Sequence, residues 1–181
     1  MKKIIISLLA VSLLLSGCAS AKWDKKDPNA PAAYYQKHEQ QLKDNQAKLD
    51  KDPTNFTLQF EKAFQLQALG RYKEAVKEYE KALAMAPDDF ATLNNLAAIY
   101  EEVGEIEKAL TYEQKLYNQN TTNIEVLKDT IRLLTKNKQF SDAQGVLDTF
   151  AGTEEGKKEG AFLSEQMTYI KDETAKEQNK K

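Results

Sequence analysis

Landmarks in this chain return at an interval of 34 residues, and that recurrence limits what it can fold into more than any local signal. Ala75, Ala109 and Ala143 are spaced this way, as are Leu66, Tyr100 and Leu134, the pair Gly70 and Gly104, and the pair Pro53 and Pro87. Agreement at several independent offsets points to one supersecondary unit used repeatedly, each copy burying its apolar face against its neighbours. Inside one period, Phe56–Leu69 and Lys73–Ala86 are apolar at helical spacing. Gly70-Arg71-Tyr72 forms a short turn between them, and Pro87-Asp88-Asp89 ends the second segment. Only seven glycines and four prolines interrupt 181 residues, so summed propensity favours helix nearly everywhere and the class is all-α.

The unit of helix, tight turn and helix, with Ala75-Val76-Lys77-Glu78-Tyr79 followed by Ala82 and Pro87, resembles the tetratricopeptide repeat. A second copy keeps Leu93, Leu96, Ala97, Tyr100, Gly104, Ala109 and Leu116; a third keeps Leu127, Leu134, Phe140, Ala143, Leu147 and Phe150. The resemblance implies a helical-hairpin solenoid of about three repeats within residues 53–152, at about 56–89, 90–123 and 124–152. Small residues at Ala63, Ala97 and the three landmark alanines let helix axes approach, and Gly70 and Gly104 supply a left-handed turn residue. In the third turn Asn137 is expected to take that conformation. Gln59, Lys62, Glu113, Thr121 and Lys138 depart from the family pattern.

Two further helices flank the repeats. Tyr35, His38, Leu42, Gln46 and Leu49 give an N-terminal helix over 32–52, ended at Asp52-Pro53. Phe162, Leu163, Gln166, Met167, Ile170 and Thr174 give a capping helix within 153–181, before a polar tail; an open repeat array needs such an end. Ala151–Gly160, with three glycines and several charges, reads as a loop or frayed turn.

The N-terminus carries different information. Lys2 and Lys3 precede an apolar run, Ile4–Leu15, that is too short to span a bilayer and ends in small residues. The sequence Leu15-Ser16-Gly17-Cys18 resembles the lipobox that closes the signal peptide of bacterial lipoproteins. The resemblance implies removal of residues 1–17 and acylation of Cys18, palmitate being one such chain; Cys18 is the sole cysteine. Ala19 after the cysteine resembles the pattern sent to the outer membrane, facing the periplasm. Residues 18–31 then form a lipidated tether, with a reach of about 43 Å from Ala19 when fully extended. Trp23 suits either a lipid interface or an ordinary tether position.

Catalytic patterns are scarce. His38 is the only histidine. His38-Glu39-Gln40-Gln41 begins like a zinc-protease helix, but Leu42 stands where the second histidine is required, so His38 is expected on the surface. A formal charge of -2 offers no basic field for nucleic acid. No cofactor, metal or small-molecule substrate is expected. The expected functional surface is the inner groove lined by the first helix of each repeat. By the family's geometry it carries Phe60 and Phe64, then Asn94, Asn95, Ala98 and Glu101, then Lys128 and Arg132. Phe60 and Phe64 fit equally well against the N-terminal helix. Asn95 matches an asparagine with which peptide-binding members grip a ligand backbone. Glu125 and Asp129 stand where members that clamp a terminal carboxylate carry basic residues, so that mode is not implied. The leading expectation is a membrane-anchored, non-enzymatic scaffold or assembly factor of the bacterial cell envelope, binding envelope proteins or peptides. The alternatives are a cell-wall-acting enzyme using Glu101 or Glu102, and a passive structural spacer.

Overall fold

The structure is a computed structural model that describes residues 23, 24 and 26–179; the expected leader at 1–17 and the lipidation position Cys18 lie outside the described residues. Among the described residues there are nine helices and no strand, so the chain is all-α. The described residues divide into two compact units, one up to Pro87 and one from Asp88. The first holds α1 (Ala32–Leu49), α2 (Phe56–Ala68) and α3 (Tyr72–Met85). The second holds α4 (Phe90–Glu102), α5 (Ile106–Gln119), α6 (Ile124–Lys136), α7 (Phe140–Ala151), α8 (Glu154–Lys158) and α9 (Gly160–Gln178).

Three hairpins, α2–α3, α4–α5 and α6–α7, are built by one recipe. The first helix of each starts at a side-chain cap: Asn55 accepts from the Leu58 amide (3.1 Å), Asp89 from Thr92 (2.7 Å), and Asn123 from Glu125 (3.0 Å) and Val126 (3.3 Å). These satisfy amides that no preceding turn can reach, and they recur at the same 34-residue interval as the alanines. The first helix of each then ends in a paired closure. Arg71 and Gly70 amides donate to Leu66 and Gln67 carbonyls, Glu105 and Gly104 to Tyr100 and Glu101, and Gln139 and Lys138 to Leu134 and Thr135, all at 2.8 to 3.0 Å. This closure requires one left-handed residue: Gly70 (φ +71°), Gly104 (φ +75°) and, in the third turn, Lys138 (φ +60°).

The third turn therefore departs from expectation. Asn137 keeps φ -87°, and its amide nitrogen donates to Gln139 Oε1 at 2.9 Å. The six-residue closure fixes which position turns left-handed, and the asparagine sits one position too early. A lysine there carries Cβ strain that glycine escapes. Lys138→Gly is expected to raise stability by about 0.5–1 kcal/mol in urea unfolding. Lys138→Ala, which keeps the strain and loses an exposed ion pair to Glu177 (3.0 Å), should give no gain.

Packing follows from the small residues. Ala63, Ala75, Ala109 and Ala143 have no exposed surface, and Ala97 is buried too, so paired helix axes meet at their methyl groups. In the first unit Leu49 of α1 joins Leu66, Leu69, Val76 and Tyr79 in the core. In the second, Leu127, Ile131, Leu147 and Phe150 enclose Leu163 and Ile170 of α9. Each such side chain contributes about 1.5–3 kcal/mol on burial, which is why α9 closes that end of the second unit.

Three other expectations are revised. Within Ala151–Gly160 the chain forms α8, not a loop. Thr153 Oγ1 accepts from the Gly156 amide (2.9 Å) and donates to Phe150 O (2.8 Å); Glu154 and Glu155 lie in its first turn and Lys157 and Lys158 in its last, the order the helix dipole favours. His38 is buried, not on the surface. Its Nδ1 donates to Gln65 Oε1 at 2.5 Å, which joins α1 to α2. The tether is not free along its length: the Tyr72 amide donates to Trp23 O at 2.9 Å, and Asp24 bridges to Arg71. Two departures also find a reason. Gln59 Nε2 donates to Glu78 Oε2 (2.7 Å) and Lys62 pairs with the same carboxylate (3.1 Å), so polar residues here tie α2 to α3. Burial opposes ionisation of Glu78, but Gln59, Lys81 and Lys62 outweigh it and hold its carboxyl below the usual range.

Candidate functional site: the open faces of the first helices

The first helix of each hairpin buries one face against its second helix and leaves another open. In α2 that open face carries Phe64, 45% exposed. Phe60 lies one turn earlier on the same side and is half-buried. Its ring stands 5.5 Å edge-on from Tyr79 of α3 and 6.2 Å from Phe56. Tyr79, wholly buried, donates its hydroxyl to Gln67 Oε1 at 2.7 Å. Phe60 thus packs on α3, while α1 reaches α2 through a different side, where His38 meets Gln65. The two phenylalanines divide the work, one supporting the fold and one facing solvent.

In the second unit Asn94 and Ala98 of α4 are exposed, and Asn95 is half-buried with its amide nitrogen donating to Ala91 O at 2.9 Å. Glu101 ends this face and meets α6 across it. Arg132 Nη1 donates to Glu101 Oε1, Lys136 Nζ donates to the same oxygen (3.3 Å), and Arg132 Nη2 donates to Asp129 Oδ1 (2.8 Å). Partial burial would push the Glu101 carboxyl up, but the Arg132 hydrogen bond and charge, with Lys136, hold it below the usual carboxylate range. The hydrogen bond to Glu101 raises Arg132 in turn. The pair is therefore ionised at neutral pH and joins α4 to α6.

Lys128, one turn before Arg132, pairs with Glu125 (3.2 Å) and lies over the Phe162 ring of α9 at 5.6 Å. Between α6 and α9 runs an open trough of about 580 Å³. Lys128, Arg132 and Lys136 form one wall, and Phe162, Gln166 and Tyr169, the last 49% exposed, form the other. Of the expected groove residues, Glu101 and Arg132 are thus in contact, Lys128 adjoins them along α6, and Phe60 and Phe64 belong to the first unit.

One residue beneath this face was legible only as a departure. Glu113 occupies the position one period after Tyr79 and one before Leu147, both wholly buried; it is itself 3% exposed. Burial, then the nearby charge of Asp129, pushes its carboxyl up to about 7, against the opposing pull of Arg132 and a hydrogen bond with Thr130. A charged residue in an otherwise apolar repeat column was the signal available in the sequence.

Antiparallel helix pairs in constant register, crossing at alanine and turning at one left-handed residue, define a helical-hairpin repeat protein. Residues 55–120 match the tetratricopeptide repeat family. Among solved structures, the crystal structure of a tetratricopeptide repeat protein from Parabacteroides merdae is 20% identical, with 80% of this chain and 68% of that one covered and a TM-score of 0.56. A mutant of MamA is 18% identical, with 77% and 90% covered and a TM-score of 0.50. At these identities the likeness is one of fold. No curated protein sequence is significantly similar. The matched span thus carries tetratricopeptide repeats, and the helical hairpins around it share that fold.

Proposed function

We propose that this protein is a non-enzymatic scaffold or assembly factor, anchored by lipid at Cys18 to a membrane of the bacterial cell envelope and capturing other envelope proteins on the open faces of its first helices. Repeats of this kind serve generally as protein interaction modules, and the lipobox resemblance supplies the anchor. The observation that carries the interaction reading is the exposure of Phe64, Asn94 and Ala98 on helices whose other faces are buried. The exposed part of the Phe64 ring gains nothing from the isolated fold, whereas interfaces draw their energy from such anchors.

An enzyme acting through Glu101 fits less well. A general acid needs a raised pKa and access to substrate; Glu101 is held ionised in a salt bridge, and Glu113, whose pKa is raised, is enclosed. The test is cross-linking in intact cells followed by mass spectrometry, comparing wild type with Phe64→Ser and with Asn94→Arg. Both variants should keep wild-type helicity, and at least one should lose most of the cross-linked partner, about tenfold for loss of a hot-spot side chain. Phe60 is left intact because it supports Tyr79. Undiminished capture by both variants would remove these faces from the account and leave the passive spacer.

A further inference from the structure

One end of the first unit gathers aromatic side chains: Tyr34 packs against Tyr35 and His38, and the Tyr35 hydroxyl donates to Asp27 O at 2.7 Å. The N-terminus of α1 and the α2–α3 turn lie together there, as the His38 to Gln65 bond of two antiparallel helices demands. Trp23 is fixed at the same end, its carbonyl accepting from the Tyr72 amide at 2.9 Å while Asp24 bridges to Arg71. Tyr34 is 38% exposed, and Trp23, Tyr35 and Tyr72 are half-buried. Lys26 lies over the Tyr35 ring at 5.3 Å. Trp23 is the only tryptophan in the chain. Rings with one apolar part and one polar tip are the side chains that settle at a bilayer surface.

We infer that this end of the first unit is a membrane-contacting surface, held against the bilayer by the docked Trp23 segment. The inference rests on the proposed acylation of Cys18. Five residue steps separate Cys18 from Trp23, and an extended chain covers at most about 18 Å in five steps. Because Trp23 is bonded to the α2–α3 turn, the turn cannot leave the bilayer by the longer distance a free tether would allow. The opposite end of the unit, at the α1–α2 connection, lies a further helix length away, about 20 Å for α2. The docked end carries both signs: Lys26, Arg71 and Lys73 with Asp24, Asp27 and Glu74, Arg71 and Glu74 being paired at 2.7 Å, and Lys22 and Lys25 flank Trp23 in the sequence. Interfacial aromatic rings and an acyl anchor need no acidic lipid, so a zwitterionic bilayer is the surface tested.

The test uses the full-length lipidated protein in phosphatidylcholine vesicles that contain a nitroxide-headgroup lipid. Acylation consumes the Cys18 thiol, so Lys73→Cys or Lys51→Cys each supplies a single thiol for a fluorescent label, at the docked and far ends of the same unit. Quenching of the Lys73→Cys label, and of Trp23 emission, should exceed that of the Lys51→Cys label at least about twofold. A flexible glycine-serine insertion of about ten residues before Trp23 should leave vesicle flotation intact and bring the two labels to equal quenching. Equal quenching in the uninserted protein, or an unchanged difference after insertion, would overturn the inference while flotation upheld the anchor. Flotation no better than that of Cys18→Ser would sink the anchor reading, and this inference with it.

Discussion

Replacing Gly156 by alanine is expected to cost about 3 kcal/mol, although the position lies in a five-residue surface helix. A Cβ added there would stand 2.0 Å from Phe150 O and 2.7 Å from its carbonyl carbon. Both are backbone atoms at the end of α7, so no side-chain rotation relieves the clash, and α8 must move. The same carbonyl accepts from the Thr153 amide (2.9 Å) and Thr153 Oγ1 (2.8 Å), and Thr153 starts α8, so moving α8 breaks these bonds. Phe150 itself has no exposed surface and sits among Leu127, Leu147 and Leu163. Gly145 provides the control. It lies inside α7 with open space where a Cβ would stand, and Gly145→Ala should stabilise by roughly 0.5–1 kcal/mol through helix propensity alone. Urea unfolding of the two variants should therefore move in opposite directions. A Gly156→Ala protein as stable as wild type would show that α8 does not pack on the end of α7.

The close backbone approach at Gly156 shows why part of the fold was legible in the sequence and part was not. Repeats could be read because each landmark answers a demand of the local backbone: alanine where helix axes cross, glycine where the turn is left-handed. Those demands return with the unit. The caps Asn55, Asp89 and Asn123 answer such a demand and share the period, but asparagine and aspartate alternate, so the column does not stand out as identity. Lys138 shows the converse. Residue preference pointed to Asn137, while the hydrogen-bond closure set the position and the third unit happens to carry lysine there. Gly156 looked like a breaker in a polar stretch, because what requires glycine is a carbonyl six residues earlier in another helix. His38 and Gln65 are 27 residues apart, and no local pattern marks a buried polar pair at that range.

The open faces were less legible than the fold for a related reason. Spacing assigns residues to a side of a helix but not to a neighbour, so Phe60 and Phe64 read alike in sequence. Only the position of Tyr79 separates a ring that supports α3 from one that meets solvent. Glu101 and Arg132 were each assigned to the groove without any sign that they bond to each other. The pairing matters for function, since a partner competing for Arg132 must also displace Glu101, and an ionised pair of this kind confers selectivity more readily than affinity.

At pH 8, Glu113→Gln is expected to be more stable than wild type by about 2–3 kcal/mol, with little difference near pH 4.5. The carboxyl is pushed from its ordinary 4.5 up to about 7 in the fold, first by burial and then by Asp129, with Glu101 adding a smaller push and Arg132 opposing. Between those two values the folded chain holds a proton that the unfolded chain has released, so stability falls as pH rises through this window. Above it the folded protein carries a buried carboxylate among acidic neighbours, and each unit of raised pKa corresponds to about 1.4 kcal/mol. Glutamine keeps the shape and can donate its amide N–H to Thr130 Oγ1, whose own proton goes to Val126 O (2.8 Å), but it cannot ionise. Urea midpoints measured from pH 4.5 to pH 8 should therefore slope downward for wild type and run flatter for the variant. Arg132→Gln should steepen the wild-type slope, since it removes the cation that partly offsets burial while leaving Glu113 and Asp129 in place. Parallel pH profiles for wild type and Glu113→Gln would mean that the carboxyl titrates as it does in water. An equal gain at every pH would trace the difference to packing instead of charge.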